Sequence, residues 1–157
     1  MNVAVIGPGR TATKKDLKRA RRTGRLIAAE GWTLLTGGGG GVMEAASTGA
    51  RKSGGLAIGL LPGSSMDGAN ESQSAVIPTG LGELRNGLVV RAAAGVICIG
   101  GSWGTLSEVA FAIKTEKPVI QLGGWRVMNQ DGERQPGPID ALTPEEAVAI
   151  LKSMIHD

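Results

Sequence analysis

The sequence has no tyrosine, one phenylalanine, one cysteine and one histidine. A lone Cys98 closes no internal disulfide, and with a lone His156 it falls short of a zinc ligand set, so a reduced, cytoplasmic chain without structural metal is expected. No apolar run approaches the roughly 18 residues that cross a bilayer. The start, Met1 to Gly7, lacks a basic stretch ahead of a long apolar one. Both absences exclude a membrane partner from the expectation.

Glycine is in excess, at 26 of 157 residues, more than twice the usual share of roughly 7%. It has no three-residue period, which excludes collagen, and a hydrophobic content of 41% excludes a disordered chain. The length suits a single hydrophobic core. No repeat, linker or low-complexity boundary divides it, so one domain over residues 1–157 is expected.

The net charge of +3 hides an asymmetry. Residues 1–52 hold ten Lys/Arg against three Asp/Glu, a net of +7, and the remainder carries −4. Most of the excess is Lys14, Lys15, Lys18, Arg19, Arg21, Arg22 and Arg25, a run able to attract polyanions. No aromatic residue interleaves with it to stack on bases, so it reads as a solvated helix face and argues against a nucleic-acid partner.

Aliphatic runs alternate with stretches of helical period, the pattern of βαβ units. Strands are predicted at Val3–Ile6, Thr33–Thr36, Leu56–Leu61, Ala75–Ile77, Val96–Ile99 and Val119–Leu122. They are mostly continuous apolar runs, as strands covered on both faces require. Leu17, Ala20, Gly24, Ile27 and Ala28 line the basic helix, and Leu84, Leu88, Val89 and Ala92 a later one. Leu106, Val109, Ala110 and Ile113 mark a third, which Lys117-Pro118 should end. Thr143-Pro144-Glu145-Glu146 is a capping box with proline at the first helical position. Between Gly123 and Pro138, Asp131-Gly132 and Pro136-Gly137 predict a mobile loop or small hairpin. The fold class is therefore α/β, a Rossmann-like three-layer sandwich around a mostly parallel sheet.

Three glycine clusters each follow a predicted strand and precede a predicted helix, where open backbone amides and the helix dipole can hold a phosphate. The first, Gly7-Pro8-Gly9-Arg10-Thr11-Ala12, fits the dinucleotide pattern but is followed by a basic helix, and Gly37 stands where an acidic ribose contact belongs after the second strand. An ordinary NAD site is not expected. The second, Gly37-Gly38-Gly39-Gly40-Gly41, lacks the Gly-Lys-Ser/Thr ending of a Walker A loop. Five bare residues fit close approach to a ligand, with a tight turn against a neighbouring helix as the structural alternative. The third is Gly100-Gly101-Ser102-Trp103-Gly104-Thr105, where the Ser102 and Thr105 hydroxyls join the amides, Glu108 lies one turn into the helix and Arg85 can supply a counter-charge. Cys98 and Trp32 read as core residues, and Trp103 as a ligand wall or, equally, a core or subunit-interface residue.

Gly37 to Ala46, then Gly54-Gly55, Leu61-Pro62-Gly63 and Gly100 to Glu108 together resemble the LOG-like proteins over roughly residues 1–122. That superfamily includes cytokinin-activating phosphoribohydrolases, once labelled lysine decarboxylases, the molybdenum cofactor carriers, and DNA-processing relatives. In the hydrolases the signature is P-G-G-x-G-T-x-x-E, preceded by a helix bearing R-K. Here Gly101, Gly104, Thr105, Glu108 and Arg85 match, whereas Gly100 replaces the proline, Ser102 the second glycine and Asn86 the lysine. The form Trp103 to Glu108 is closer to the carrier-like branch. The resemblance implies a carrier-like protein holding a small phosphorylated ligand, a nucleotide or the molybdenum cofactor, with no required cofactor, through Gly7, Gly9, Gly38, Gly39, Gly40, Gly41, Arg85, Gly100, Gly101, Ser102, Gly104, Thr105 and Glu108. The alternative is a nucleoside 5′-monophosphate phosphoribohydrolase in which Arg85 and Glu108 are catalytic. It also implies a homo-oligomer, with a dimer favoured, paired through helices beside the loops.

Overall fold

The computed structural model describes residues 1–155. His156 therefore lies outside the described residues. Six strands rise where the apolar runs predict them: β1 (Asn2–Ile6), β2 (Thr33–Thr36), β3 (Ala57–Leu61), β4 (Ala75–Pro78), β5 (Gly95–Ile99) and β6 (Val119–Leu122). A seventh, β7 (Ile139–Asp140), is too short to leave a sequence signal. The helices are α1 (Lys14–Ala29), α2 (Val42–Lys52), α3 (Arg85–Arg91), α4 (Trp103–Lys114) and α5 (Pro144–Met154). Among the described residues no helix is long and apolar enough to cross a membrane.

Every pairing in the sheet is parallel, in the order β4-β3-β2-β1-β5-β6-β7. The chain builds outward from β1 to β4, then returns to place β5 on the other side of β1. That reversal opens a crevice at the carboxyl ends of β1 and β5, where α/β sheets bind ligands. Strand alternation divides the core in two. Val3, Val5, Ile97 and Ile99 pack on one face with Ala20 and Ile27 of α1, Ala46 of α2 and Leu151 of α5. Ala4, Ile6, Val96 and Cys98 pack on the other with Val89 of α3 and Val109 and Ala112 of α4. The result is the three-layer sandwich.

Helices α1 and α2 cross at glycines. A Cβ on Gly24 would sit 2.0 Å from the Ala46 carbonyl oxygen, and one on Gly49 would sit 2.0 Å from that of Arg21. Both ends of the crossing thus need bare backbone. α1 opens on a capping box, with Thr13 Oγ1 accepting from the Asp16 amide and Asp16 accepting from the Thr13 amide. The predicted cap of α5 forms as well, with Pro144 in its first turn, although the Glu146 carboxylate takes the Leu142 amide rather than that of Thr143.

Three expectations need correcting. Leu84 precedes α3 in a short 3₁₀ turn and is 74% exposed, and Leu88 and Ala92 also face outward; of the expected residues α3 buries Val89, joined by Asn86 and Val90. Helix α4 buries Thr105, Glu108, Val109 and Ala112, the same spacing shifted by one residue, while Ala110 and Ile113 are exposed. Its two polar members conceal that stripe. α4 also stops at Lys114, ahead of Lys117-Pro118, with Glu116 at φ +56° turning the chain. The segment from Gly123 to Pro138 takes the hairpin alternative, closed by an antiparallel bridge between Met128 and Arg134.

Candidate functional site

All three glycine clusters reach the same edge of the sheet, because each follows one of the adjacent parallel strands β2, β1 and β5. The first two interlock. Gly41, at φ +67°, lies so near the Gly7-Pro8-Gly9 turn that a Cβ on it would be 2.1 Å from the Gly9 carbonyl oxygen, and the Val42 amide donates to the Pro8 oxygen. Gly7 leaves room for Val42 and for the Ile99 oxygen, 2.4 Å from where its Cβ would be.

The second loop is held by residues that the sequence does not mark. Asn70 Nδ2 donates to the oxygens of Gly38 and Gly39 at 3.1 and 2.8 Å, and the Asn70 amide also donates to Gly38. Thr36 Oγ1 accepts from the Gly38 amide, while Gln73 Nε2 bonds Thr36 and Ser47. With its carbonyls clamped, the loop keeps donors open: the amides of Gly39, Gly40 and Gly41 have no acceptor among the described residues. Glu44 reaches back toward Gly40.

Arg85 enters beside this loop. Its Nη1 donates to the Leu60 oxygen at the end of β3, 2.9 Å away, and lies where a Cβ on Gly37 would be 2.0 Å off. Only glycine at 37 admits the guanidinium. Nε is buried and finds no partner among the described residues. Burial lowers the guanidinium's pKa, against the opposing pull of Glu108 and Glu83, yet arginine remains a cation. Glu108, on the buried face of α4, is 8% exposed. Burial pushes its carboxyl up to about 8, and the Arg85 charge only partly offsets this, so it is mostly protonated at neutral pH.

The third loop holds itself. Ser102 is the N-cap of α4, its Oγ accepting from the Thr105 amide at 3.2 Å and pairing with Thr105 Oγ1 at 2.8 Å. One of those two hydroxyl protons serves the pair and the other stays available. The amides of Gly101, Ser102, Trp103 and Gly104 have no acceptor among the described residues. Gly100 adopts φ +66°, which proline cannot reach. Asp16 packs against Gly100, a carboxylate at the loop that the sequence reading missed. Asn86 spends its Nδ2 on Ser107 Oγ.

The structure thus brings Gly38 to Gly41 and Arg85 together, with Glu108 near enough to perturb the guanidinium, and places Gly7, Gly9 and Gly100 to Thr105 along the same edge. Cys98 is 2% exposed, with its thiol pushed up to about 12 by burial, which leaves it inert. The residues missed are Asn70, Gln73, Asp16 and Trp125. Asn70 and Gln73 lie in a stretch without periodicity, Asp16 shows in the sequence only as one acid within the basic helix, and Trp125 only as part of the loop or hairpin after Gly123.

The model of the SLOG cluster4 family matches residues 1–148. The molybdenum cofactor binding protein from Rippkaea orientalis superposes with a TM-score of 0.87 at 41% identity, covering 98% of this chain and 96% of that one. The Moco carrier protein from Chlamydomonas reinhardtii superposes with a TM-score of 0.84 at 34% identity, over the same shares. DNA processing protein A from Helicobacter pylori shares the fold alone, with a TM-score of 0.71 at 22% identity over 99% of this chain and 82% of that one.

Proposed function

This chain belongs to the SLOG cluster4 family, on the side of the LOG-like superfamily that holds the molybdenum cofactor carriers, and on that premise we propose that it binds and carries a phosphorylated ligand of nucleotide or molybdopterin type. The observation that carries this reading is Arg85. A guanidinium tied at one nitrogen, with a buried Nε lacking a partner and open amides beside it, is a donor set awaiting an anion. A phosphate takes the amides of Gly39 to Gly41 or of Gly101 to Gly104 and the spare hydroxyl at Ser102 and Thr105. A protonated Glu108 does not repel it.

The phosphoribohydrolase reading keeps one observation in its favour, the closeness of Arg85 and Glu108. Against it, Gly100 at φ +66° gives the loop a shape that the hydrolases' proline excludes. Asn86, in the lysine position, is bonded to Ser107.

The reading places the ligand in one domain spanning residues 1–157 and pairs two such chains. The pairing surface is the α3 and α4 side, where Leu84 and Trp103 are 74% and 78% exposed and Leu88 and Phe111 also face outward. Native mass spectrometry of freshly purified protein tests ligand and pairing together. A dimer retaining a nucleotide or molybdopterin mass is expected, and Arg85→Ala should lose the ligand. Release of free adenine from AMP by the wild type, abolished in Glu108→Gln, would replace the carrier reading with the hydrolase one.

A further inference from the structure

Helix α4 has a second side, turned away from Arg85 and Glu108. Between α4 and the 123–138 hairpin lies a cavity of about 280 Å³ that Gly100, Gly101, Ser102 and Thr105 line at one end, whereas neither Arg85 nor Glu108 lines it. Its floor is Ala110 and Ile113 of α4, which are exposed, together with Val109 at the margin of the core. Trp125, Val127 and Pro136 of the hairpin form the facing wall. This is a slot between an aliphatic helix face and an aromatic ring, at the small end of the usual range for ligand cavities.

The charge at its rim has one sign in excess. Lys114, Arg126 and Arg134 all line the cavity, and one carboxylate, Asp140, serves both arginines at 3.4 and 3.0 Å. Gln121 Nε2 binds the other oxygen of Asp140 at 2.6 Å, which fixes the carboxylate between β6 and the hairpin. Lys114 has no carboxylate partner among the described residues. Apolar walls with a cationic rim select a flat apolar body bearing an anionic group.

The slot is coupled to the loop. Trp125 packs on Gly101 so closely that a Cβ there would be 2.6 Å from the ring, and Gly124 sits over the Gly100 oxygen. Trp103 meets the Trp125 ring edge to face at 4.9 Å. A body wedged against Trp125 therefore bears on the backbone that carries Gly101.

We propose that the space between α4 and the 123–138 hairpin is a binding site for a small planar aromatic acid, with the ring between Val109 and Trp125 and the acid group at Lys114, Arg126 and Arg134. The cavity shares Gly101, Ser102 and Thr105 with the phosphate site proposed above, but the proposal rests on the α4 and hairpin walls, and its test uses neither nucleotide nor pterin. Isothermal titration with 2-naphthoate, a bicyclic aromatic acid, should give one site per chain, with the uncharged 2-naphthamide binding at least about tenfold more weakly. Ala110→Trp, which fills the floor from an exposed helix position, should abolish binding. The double variant Arg126→Ala/Arg134→Ala, which removes only exposed side chains, should weaken naphthoate by about tenfold or more and leave naphthamide unchanged. The proposal is overturned if naphthoate fails to bind at millimolar concentration, binds no better than naphthamide, or binds undiminished in Ala110→Trp. Binding that weakens as protein concentration rises overturns it too, because a second copy then fills the slot.

Discussion

The glycine loops after β2 and β5 present open amides at the same sheet edge but are ordered in opposite ways. Gly37–Gly41 has no side chain of its own and is held from outside, by Asn70 on its carbonyls, Thr36 beneath Gly38 and the Gly7–Gly9 turn against Gly41. Gly100–Thr105 is held from within by the Ser102 cap. A run of glycine leaves the backbone bare for a ligand, and its large conformational entropy must then be offset by residues distant in sequence. One serine achieves the same order locally.

The largest effect should come from the loop without side chains. Gly41→Val forces a β-branched residue into φ +67° and drives its Cβ to 2.1 Å from the Gly9 oxygen. A loss of about 3 kcal/mol or more is expected, lowering Tm by roughly 6 °C or more. Gly104→Ala is the matched control in the other loop. Its Cβ would meet nothing closer than Ser102 Oγ at 3.9 Å, and alanine favours the helix, so Tm should hold or rise. Melting both variants checks the contrast, and a Gly41→Val protein within 2 °C of wild type would break it.

Between the loops stands Glu108, whose effect follows pH. Its carboxyl is more basic folded, at about 8, than its ordinary 4.5, so the folded chain binds the proton more tightly between those values. The stability that Glu108 contributes is therefore fully present below about 4.5 and is lost as pH rises through about 8. Glu108→Gln should flatten that decline, matching wild type at low pH and exceeding it above pH 8. Parallel thermal melts across pH read this. Phosphate affinity at Arg85 should also fall in wild type across the same range and stay level in the variant.

Most of the sheet was legible because its strands are continuous apolar runs, and Gly37 to Gly41 announced a loop where bare backbone matters. The buried face of α4 was not. Periodicity counts apolar residues, and Thr105 and Glu108 are buried for the site rather than for the core, so the visible stripe, Leu106 to Ile113, belongs to the hairpin side. The external clamp was equally silent, since Asn70 stands 31 residues from Gly39 in a stretch without period. Arg85 was found through its charge, but its seat over Gly37 required coordinates.

The smallest effect should come from the internally held loop. Ser102→Ala removes the oxygen that accepts the Thr105 amide, and loss of such a cap typically destabilises by about 1 kcal/mol, or roughly 2 to 4 °C in a chain of this size. The same change frees Thr105 Oγ1 from its 2.8 Å partner. The two roles of Ser102 then separate. If it only orders the helix start, Ser102→Thr, which keeps the hydroxyl, restores both Tm and phosphate binding, and in Ser102→Ala binding drops no further than the fraying of one turn allows. If its proton also reaches the ligand, affinity in Ser102→Ala falls by more than the loss of stability. Adding Thr105→Val should then lower affinity less than additively, because the hydroxyls share one available proton. Phosphate titrations on the two single variants and the double decide between these, and additive losses would show that the hydroxyl pair is not a unit.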